Sequence, residues 1–357
     1  MTIALLFTAG VILLVSGGEM LVRGSGRLAV SLGVPPLIVG LTVVAFGTSA
    51  PELAVSMQAI FTGQSPIAIG NVIGSNIFNV LVVLGLSALI VPLTVSTQLI
   101  RLDVPVMVSA SVFMYLLASD GRLGPGDGAL LATGIVAYTV FQILASRRKG
   151  ENVEVEEVRG PRNVPLDLAL IVGGIVTLIL GSRWLVQGAV AVAQALGVSE
   201  LVIGLTIVAA GTSLPEVVTS VVAALRGQRD IAVGNVVGSN LFNLLCVLGF
   251  SALLSPGGML VAAEAIRFDI PIMLAVSAMC LPIFFGGYRI GRFEGALLFA
   301  YYIVYNAYLI MTAEQHHALP AFRIIFGYVL IPASVAFLLI STYHSWQDMR
   351  RGSSGAG

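Results

Sequence analysis

Charge is scarce in this chain. Lysine plus arginine number 18, aspartate plus glutamate also 18, among 357 residues. Charged residues make up 10% of the total, against about 25% in a soluble domain. With 57% apolar residues and a mean hydropathy of +0.99, this excludes an ordinary soluble protein. The equal balance of signs leaves no basic patch, so nothing points to a nucleic-acid partner. There are only two cysteines, Cys246 and Cys280, and three histidines. Both cysteines fall in apolar runs and read as small buried side chains, not as a disulfide or metal pair. No Ser/His pair, HExxH motif or intramembrane aspartate dyad is found, which argues against an intramembrane enzyme, and no cofactor is expected. The first apolar run lacks the basic start and small-residue cleavage site of a signal peptide and reads as a first span.

What is present is a succession of apolar stretches. A helical span needs about 20 residues. Spans are expected near 3–22, 37–62, 66–91, 104–119, 127–145, 166–186, 200–225, 230–254, 269–286, 293–312 and 322–342. The expected fold is therefore an all-α integral membrane protein with eleven spans. Its one sizeable polar connection is 146–165, SRRKGENVEVEEVRGPRNVP, whose charges leave it exposed.

The chain repeats itself across that linker. GLTVVAFGTSAPELAVS at 40–56 matches GLTIVAAGTSLPEVVTS at 204–220. IAIGNVIGSNIFNVLVVLGLSALI at 67–90 matches IAVGNVVGSNLFNLLCVLGFSALL at 231–254. The offset is 164 in both blocks, and RLDVPVM at 101 answers RFDIPIM at 267. Shared polar residues in one register over such a length mark an internal repeat. The expected organisation is a first repeat at 1–145, a linker at 146–165, a second repeat at 166–312, and an extra C-terminal span and tail at 313–357. Each repeat holds five spans. An odd number returns the chain to the opposite side, so the second copy must lie inverted, a recurring plan of secondary transporters.

Arginine placement sets the orientation. With the N-terminus outside, 14 basic residues fall on the inside and four (Arg122, Arg183, Arg267 and Arg323) on the outside. That favours an outside N-terminus, an inside C-terminus and a cytoplasmic linker.

Glu52 and Glu216 lie inside these spans. An ionisable residue at mid-depth costs a few kcal/mol even on lenient insertion scales, and usually marks an ion or proton path. The bland reading, an ion pair with arginine, finds no basic residue in those spans away from their ends. Pro51 and Pro215 precede the acids, and a proline inside a helix removes a backbone bond. GTSxPE is therefore expected to break each helix, with carbonyls near Ala45 and Ala209 turned toward a cavity. The following span supplies Asn71, Ser75, Asn76 and Asn79, and in the second copy Asn235, Ser239, Asn240 and Asn243. Ser75 and Asn79 share one helix face, as do Ser239 and Asn243. Helix packing is the bland alternative for any one of them, and span capping for Asn71 and Asn235. An all-oxygen donor set suits hard cations such as calcium or sodium. Two carboxylates balance one divalent or two monovalent ions, whereas an empty, doubly charged site resists crossing a low-dielectric barrier. That is the physical basis of an antiporter.

These paired blocks resemble the two repeats of the cation/calcium exchanger superfamily, in its sodium/calcium exchanger branch, over residues 1–312. The resemblance implies two inverted five-helix halves in a bacterial or archaeal cell membrane, exchanging sodium for calcium. Carried over by motif position, the central calcium ligands would be Glu52 and Glu216, helped by the backbone carbonyls of Thr48 and Thr212. Asn79 and Asn243 would complete the central layer. Flanking sodium sites would involve Ala45, Ser49 and Ser75, and symmetrically Ala209, Ser213 and Ser239. Gating would slide the first and sixth helices.

Some relatives carry aspartate where this chain has Asn243, a position that bears on potassium dependence. The short linker leaves no room for a calcium-sensing domain. A proton/calcium exchanger using the two glutamates as shared carriers is the alternative, but such relatives carry a different motif before the acid. A passive channel fits the inverted plan less well. The repeated pairs Arg101/Asp103 and Arg267/Asp269 read as solvated or snorkelling anchors. Glu19 reads as a gate contact or an interfacial charge. His316 and His317 fall in an external loop with no partner ligands.

Overall fold

The computed structural model describes residues 3–149, 163–196 and 209–313. The helices are α1 (Ile3–Leu32), α2 (Pro36–Thr48), α3 (Ala50–Phe61), α4 (Ser65–Ile90), α5 (Leu99–Ala118) and α6 (Pro125–Lys149). After the linker come α7 (Val164–Ala195), α8 (Ala209–Gly211), α9 (Leu214–Leu225), α10 (Arg229–Leu253), α11 (Ala265–Phe285) and α12 (Arg292–Ala313). Among the described residues eight helices are long and apolar enough to span a membrane, or nine with α2 and α3 counted as one bent span. The proposed eleventh span, the loop with His316 and His317 before it, the first part of the expected seventh span (200–208) and most of the linker lie outside the described residues.

Two spans run longer than their hydropathy implies. α1 was expected to stop at residue 22 and continues to Leu32; α7 was expected to stop at 186 and continues to Ala195. Charges read as a membrane edge are instead paired along the helix. Glu19 pairs with Arg23 one turn on and with Arg226 at the end of α9. Arg27 Nε lies 2.8 Å from the buried carboxylate of Asp167 on α7, which also accepts from Ser31 at 3.3 Å.

α1 and α7 cross the molecule side by side. A side chain at Gly17 would meet Leu178 N at 2.8 Å, and one at Gly174 would meet Leu21 N at 2.7 Å. Only glycine permits that approach of backbones, a packing common between membrane helices. Gly10 sits against Leu185 while Gly24 sits against Asp167, so the two helices run antiparallel. They occupy equivalent places in the two sequence repeats.

α4 and α10 form the centre. Of their span windows 78% and 89% are buried, against 33% and 28% for α1 and α7. Each contains a stretch of wider π-helical turns, Asn79–Leu84 in α4 and Phe242–Val247 in α10. Such insertions recur at functional sites because they turn side chains and carbonyls off the α-helical register. Two strand pairs tie the ends: β1 (Leu93–Thr94) with β4 (Arg289–Ile290), and β2 (Arg122–Leu123) with β3 (Met259–Leu260), both antiparallel. Each pair joins a connection of one repeat to a connection of the other.

One expectation is corrected here. Asp103 is not a solvated anchor: it is fully buried, accepts from Tyr138 Oη at 3.0 Å, and is bonded by Gln142. Asp269 is half-buried and accepts from Tyr305 Oη at 3.2 Å. Arg101 and Arg267, their sequence neighbours, are exposed as expected.

Candidate cation site

The GTSxPE motifs interrupt their helices as the prolines require. α2 and α3 meet at 43°, with Ser49 at φ −80°, ψ 4° between them; Ser213 at φ −91°, ψ 8° precedes α9 in the same way. The carbonyl expected to be released at Ala45 still accepts from Ser49 N at 3.0 Å and Thr48 Oγ1 at 3.3 Å. Proline deprives the carbonyl four residues back, so the ones left without a helical donor are those of Gly47 and Gly211. Gly211's carbonyl accepts instead from the buried Ser182 hydroxyl of α7. The equivalent of Ser182 in the first repeat is Gly18, which has no hydroxyl.

Both acids are fully buried. Among the described residues neither meets an arginine or lysine. Each instead takes a hydroxyl from the opposite repeat: Ser213 Oγ donates to Glu52 Oε1 at 2.9 Å, and Ser49 Oγ to Glu216 Oε1 at 3.3 Å. Ser75 Oγ of α4 also donates to Glu52 Oε1, at 3.5 Å. On the other side Ser239 Oγ lies 3.3 Å from Thr48 Oγ1. The structure thus brings together Glu52, Glu216, Ser49, Ser213, Ser75, Ser239 and Thr48. Thr212 reaches the set through Asn71. Ala45 is buried on α2 where a side chain on Gly238 would touch it at 2.7 Å. Ala209 is described by its backbone alone.

Several polar atoms are buried with no donor or acceptor among the described residues. They include Glu52 Oε2, Glu216 Oε2 and both amide atoms of Asn79 and of Asn243. All four residues are fully buried. A buried carboxylate oxygen or amide without a partner costs several kcal/mol unless a ligand satisfies it. Hard cations satisfy carboxylate, amide and hydroxyl oxygens together. No cluster of three or more His, Cys, Asp and Glu exists among the described residues, so the donor set rests on two acids and neutral oxygens.

Around this set runs a network that the motif carry-over omits. Asn235 is not a cap. It is fully buried, donates to Ser220 Oγ at 3.0 Å and the Glu216 carbonyl at 3.5 Å, and accepts from Thr48 Oγ1 at 3.0 Å. Asn71 repeats this with Ser56 Oγ at 2.9 Å, the Glu52 carbonyl at 3.1 Å and Thr212 Oγ1 at 3.5 Å. Asn76 and Asn240 exchange bonds across the centre, each donating to the other's backbone carbonyl at 3.4 Å. The signal for all of these was the offset of 164, which pairs them as strictly as it pairs the acids. Cys246 and Cys280 are free and buried, as the apolar runs implied.

Comparison with known proteins points the same way. The sodium/calcium exchanger protein family matches residues 2–144 and 166–311. The sodium/calcium exchanger MaX1 of Methanosarcina acetivorans is 32% identical over 339 residues, covering 84% of this chain and 96% of its own. The inner membrane protein YrbG of Escherichia coli is 38% identical over 312 residues, covering 85% and 95%. A solved structure of the sodium-calcium exchanger NCX_Mj, soaked with sodium and strontium, superposes with a TM-score of 0.73 at 32% identity, covering 85% of this chain and 96% of that one. MaX1 and NCX_Mj are exchangers, not enzymes. The chain is a multi-pass membrane protein that belongs to the sodium/calcium exchanger family.

Proposed function

We propose that the chain is a sodium/calcium antiporter working by alternating access, with sodium and calcium ions as its substrates. The cation site is Glu52 and Glu216 with the carbonyls of Thr48 and Thr212 and the amides of Asn79 and Asn243. It is flanked by Ala45, Ser49 and Ser75 on one side and by Ala209, Ser213 and Ser239 on the other. Two inverted halves, 1–145 and 166–312, supply one acid each. The observation that carries this reading is the reciprocal arrangement: each buried acid is held by a serine of the opposite repeat and keeps its second oxygen without a donor among the described residues. An acid bonded on both oxygens would be a structural strut; these keep one oxygen for cargo. The hydroxyls beside the acids favour sodium over protons as the counter-ion, because a proton needs only the carboxylate. With asparagine at both 79 and 243 the site has only two carboxylates, which favours potassium independence.

The test is calcium uptake into sodium-loaded proteoliposomes, with sodium, potassium or choline outside and a pH jump as control. Uptake is expected only with an outward sodium gradient, and Glu52→Gln and Glu216→Gln are each expected to abolish it. Uptake driven by the pH jump and indifferent to sodium would replace this reading with proton/calcium exchange.

A further inference from the structure

The site's two halves come from different repeats, so something must fix their spacing. Thr48 offers its backbone carbonyl from the first repeat, while Glu216 belongs to the second. Asn235 touches both segments: its amide oxygen accepts from the Thr48 hydroxyl at 3.0 Å, and its nitrogen donates to Ser220 at 3.0 Å and to the Glu216 carbonyl at 3.5 Å. One planar side chain thereby spans the acid-bearing segment of its own repeat and the threonine of the other. Asn71 does the same for Glu52 and Thr212. Neither asparagine bonds an acid's carboxylate or any of the unpartnered oxygens.

We infer that Asn71 and Asn235 are positioning residues for cation binding, each setting through the opposite repeat's threonine the distance between the two halves of the site. The inference rests on the site assignment made above but not on the identity of the counter-ion. The two bridges are unequal in this structure. Asn235 is fully buried, and beside it a side chain on Gly238 would meet the Leu41 carbonyl at 2.7 Å. Asn71 is partly exposed, its bond from Thr212 is 3.5 Å long, and its neighbours Gly70 and Gly74 line a cavity of about 490 Å³. The Thr48–Asn235 bridge is therefore the one under load, and its loss costs more binding than loss of the Thr212–Asn71 bridge.

Calcium binding to the purified full-length protein, followed by calorimetric titration, tests this. Thr48→Val keeps the backbone carbonyl and removes only the hydroxyl. Thr48→Val is expected to raise the half-saturating calcium concentration about tenfold, the scale set by one buried hydrogen bond, and Asn235→Ala, which also removes the bonds to Ser220 and the Glu216 carbonyl, at least as much. The double variant is expected to match Asn235→Ala alone, because the bond that Thr48→Val deletes is already gone in it. Thr48→Ser, which keeps the hydroxyl, is expected to restore wild-type binding, and Thr212→Val to shift it less than Thr48→Val does. Unchanged calcium affinity in Thr48→Val overturns the inference, even where Asn235→Ala yields no folded protein, and so does a double variant whose shift is the product of the two singles. Binding is read directly, so a wild-type protein that binds calcium but exchanges it for protons would overturn the sodium coupling and leave this inference standing.

Discussion

At the scale of single residues, burial cost decides what can be read from sequence. Glu52 and Glu216 announced themselves because a carboxylate in the middle of an apolar span needs a reason. Asp103 did not, because it sits five residues into its helix, where a charge is readily taken for the membrane edge. The structure closes it between α5 and α6, with Tyr138 and Gln142 bonded to it and to each other. That makes it a fastener. Tyr138→Phe removes one donor to a buried carboxylate and is expected to cost about 1–3 kcal/mol of stability. Thermal unfolding of the purified protein would show it as a lowered midpoint. The further rise on adding calcium is expected to match that of wild type, because no atom of the cation site is touched. A calcium-induced rise that disappears would instead make Asp103 part of the ion path.

At the scale of elements, hydropathy located the spans that the structure describes and misjudged the lengths of two. α1 and α7 exceed their apolar stretches because their charges are neutralised, Glu19 by Arg23 within α1 and, across helices, Glu19 by Arg226 and Arg27 by Asp167, pairings of which no single-helix pattern reveals the last two. The glycines were visible, but not their use. Gly10, Gly17 and Gly24 recur at the same offset of 164 as Gly174, Gly181 and Gly188, and the fold lays these two rows together. Gating by this helix pair is the expectation that the family resemblance raises, and a seam of glycine offers little side-chain relief to resist sliding. Gly174→Leu would drive a side chain into Leu21 N and the Gly17 carbonyl, both backbone atoms that cannot turn aside. It is expected to lower sodium-driven calcium uptake at least about tenfold, since overpacking costs roughly 1–3 kcal/mol or more. Val176→Leu, on the exposed side of the same helix, is the control and should leave uptake near wild type. Equal uptake by the two variants would mean that the seam is not under packing constraint.

At the scale of the whole molecule, the sequence repeat carried most of the architecture. An odd number of spans per repeat requires inversion, and antiparallel packing of the equivalent helices α1 and α7 is what inversion produces. Which end faces the cytoplasm is a separate matter that rests on charge. The structure gathers the arginines of one end: Arg226 meets Glu19, Arg27 meets Asp167, and Arg289 lies in β4 paired with β1. The arginine-poor end holds β2 and β3 with Arg122. By the inside rule for basic residues, the linker is expected in the cytoplasm. Single cysteines test this, and the native ones are buried enough to leave a low background. Asp120→Cys, exposed at the arginine-poor end, is expected to react with a membrane-impermeant maleimide on intact cells. Glu156→Cys in the linker is expected to react only in inverted vesicles. The opposite pattern would turn the molecule over, and with it the side from which sodium enters the site.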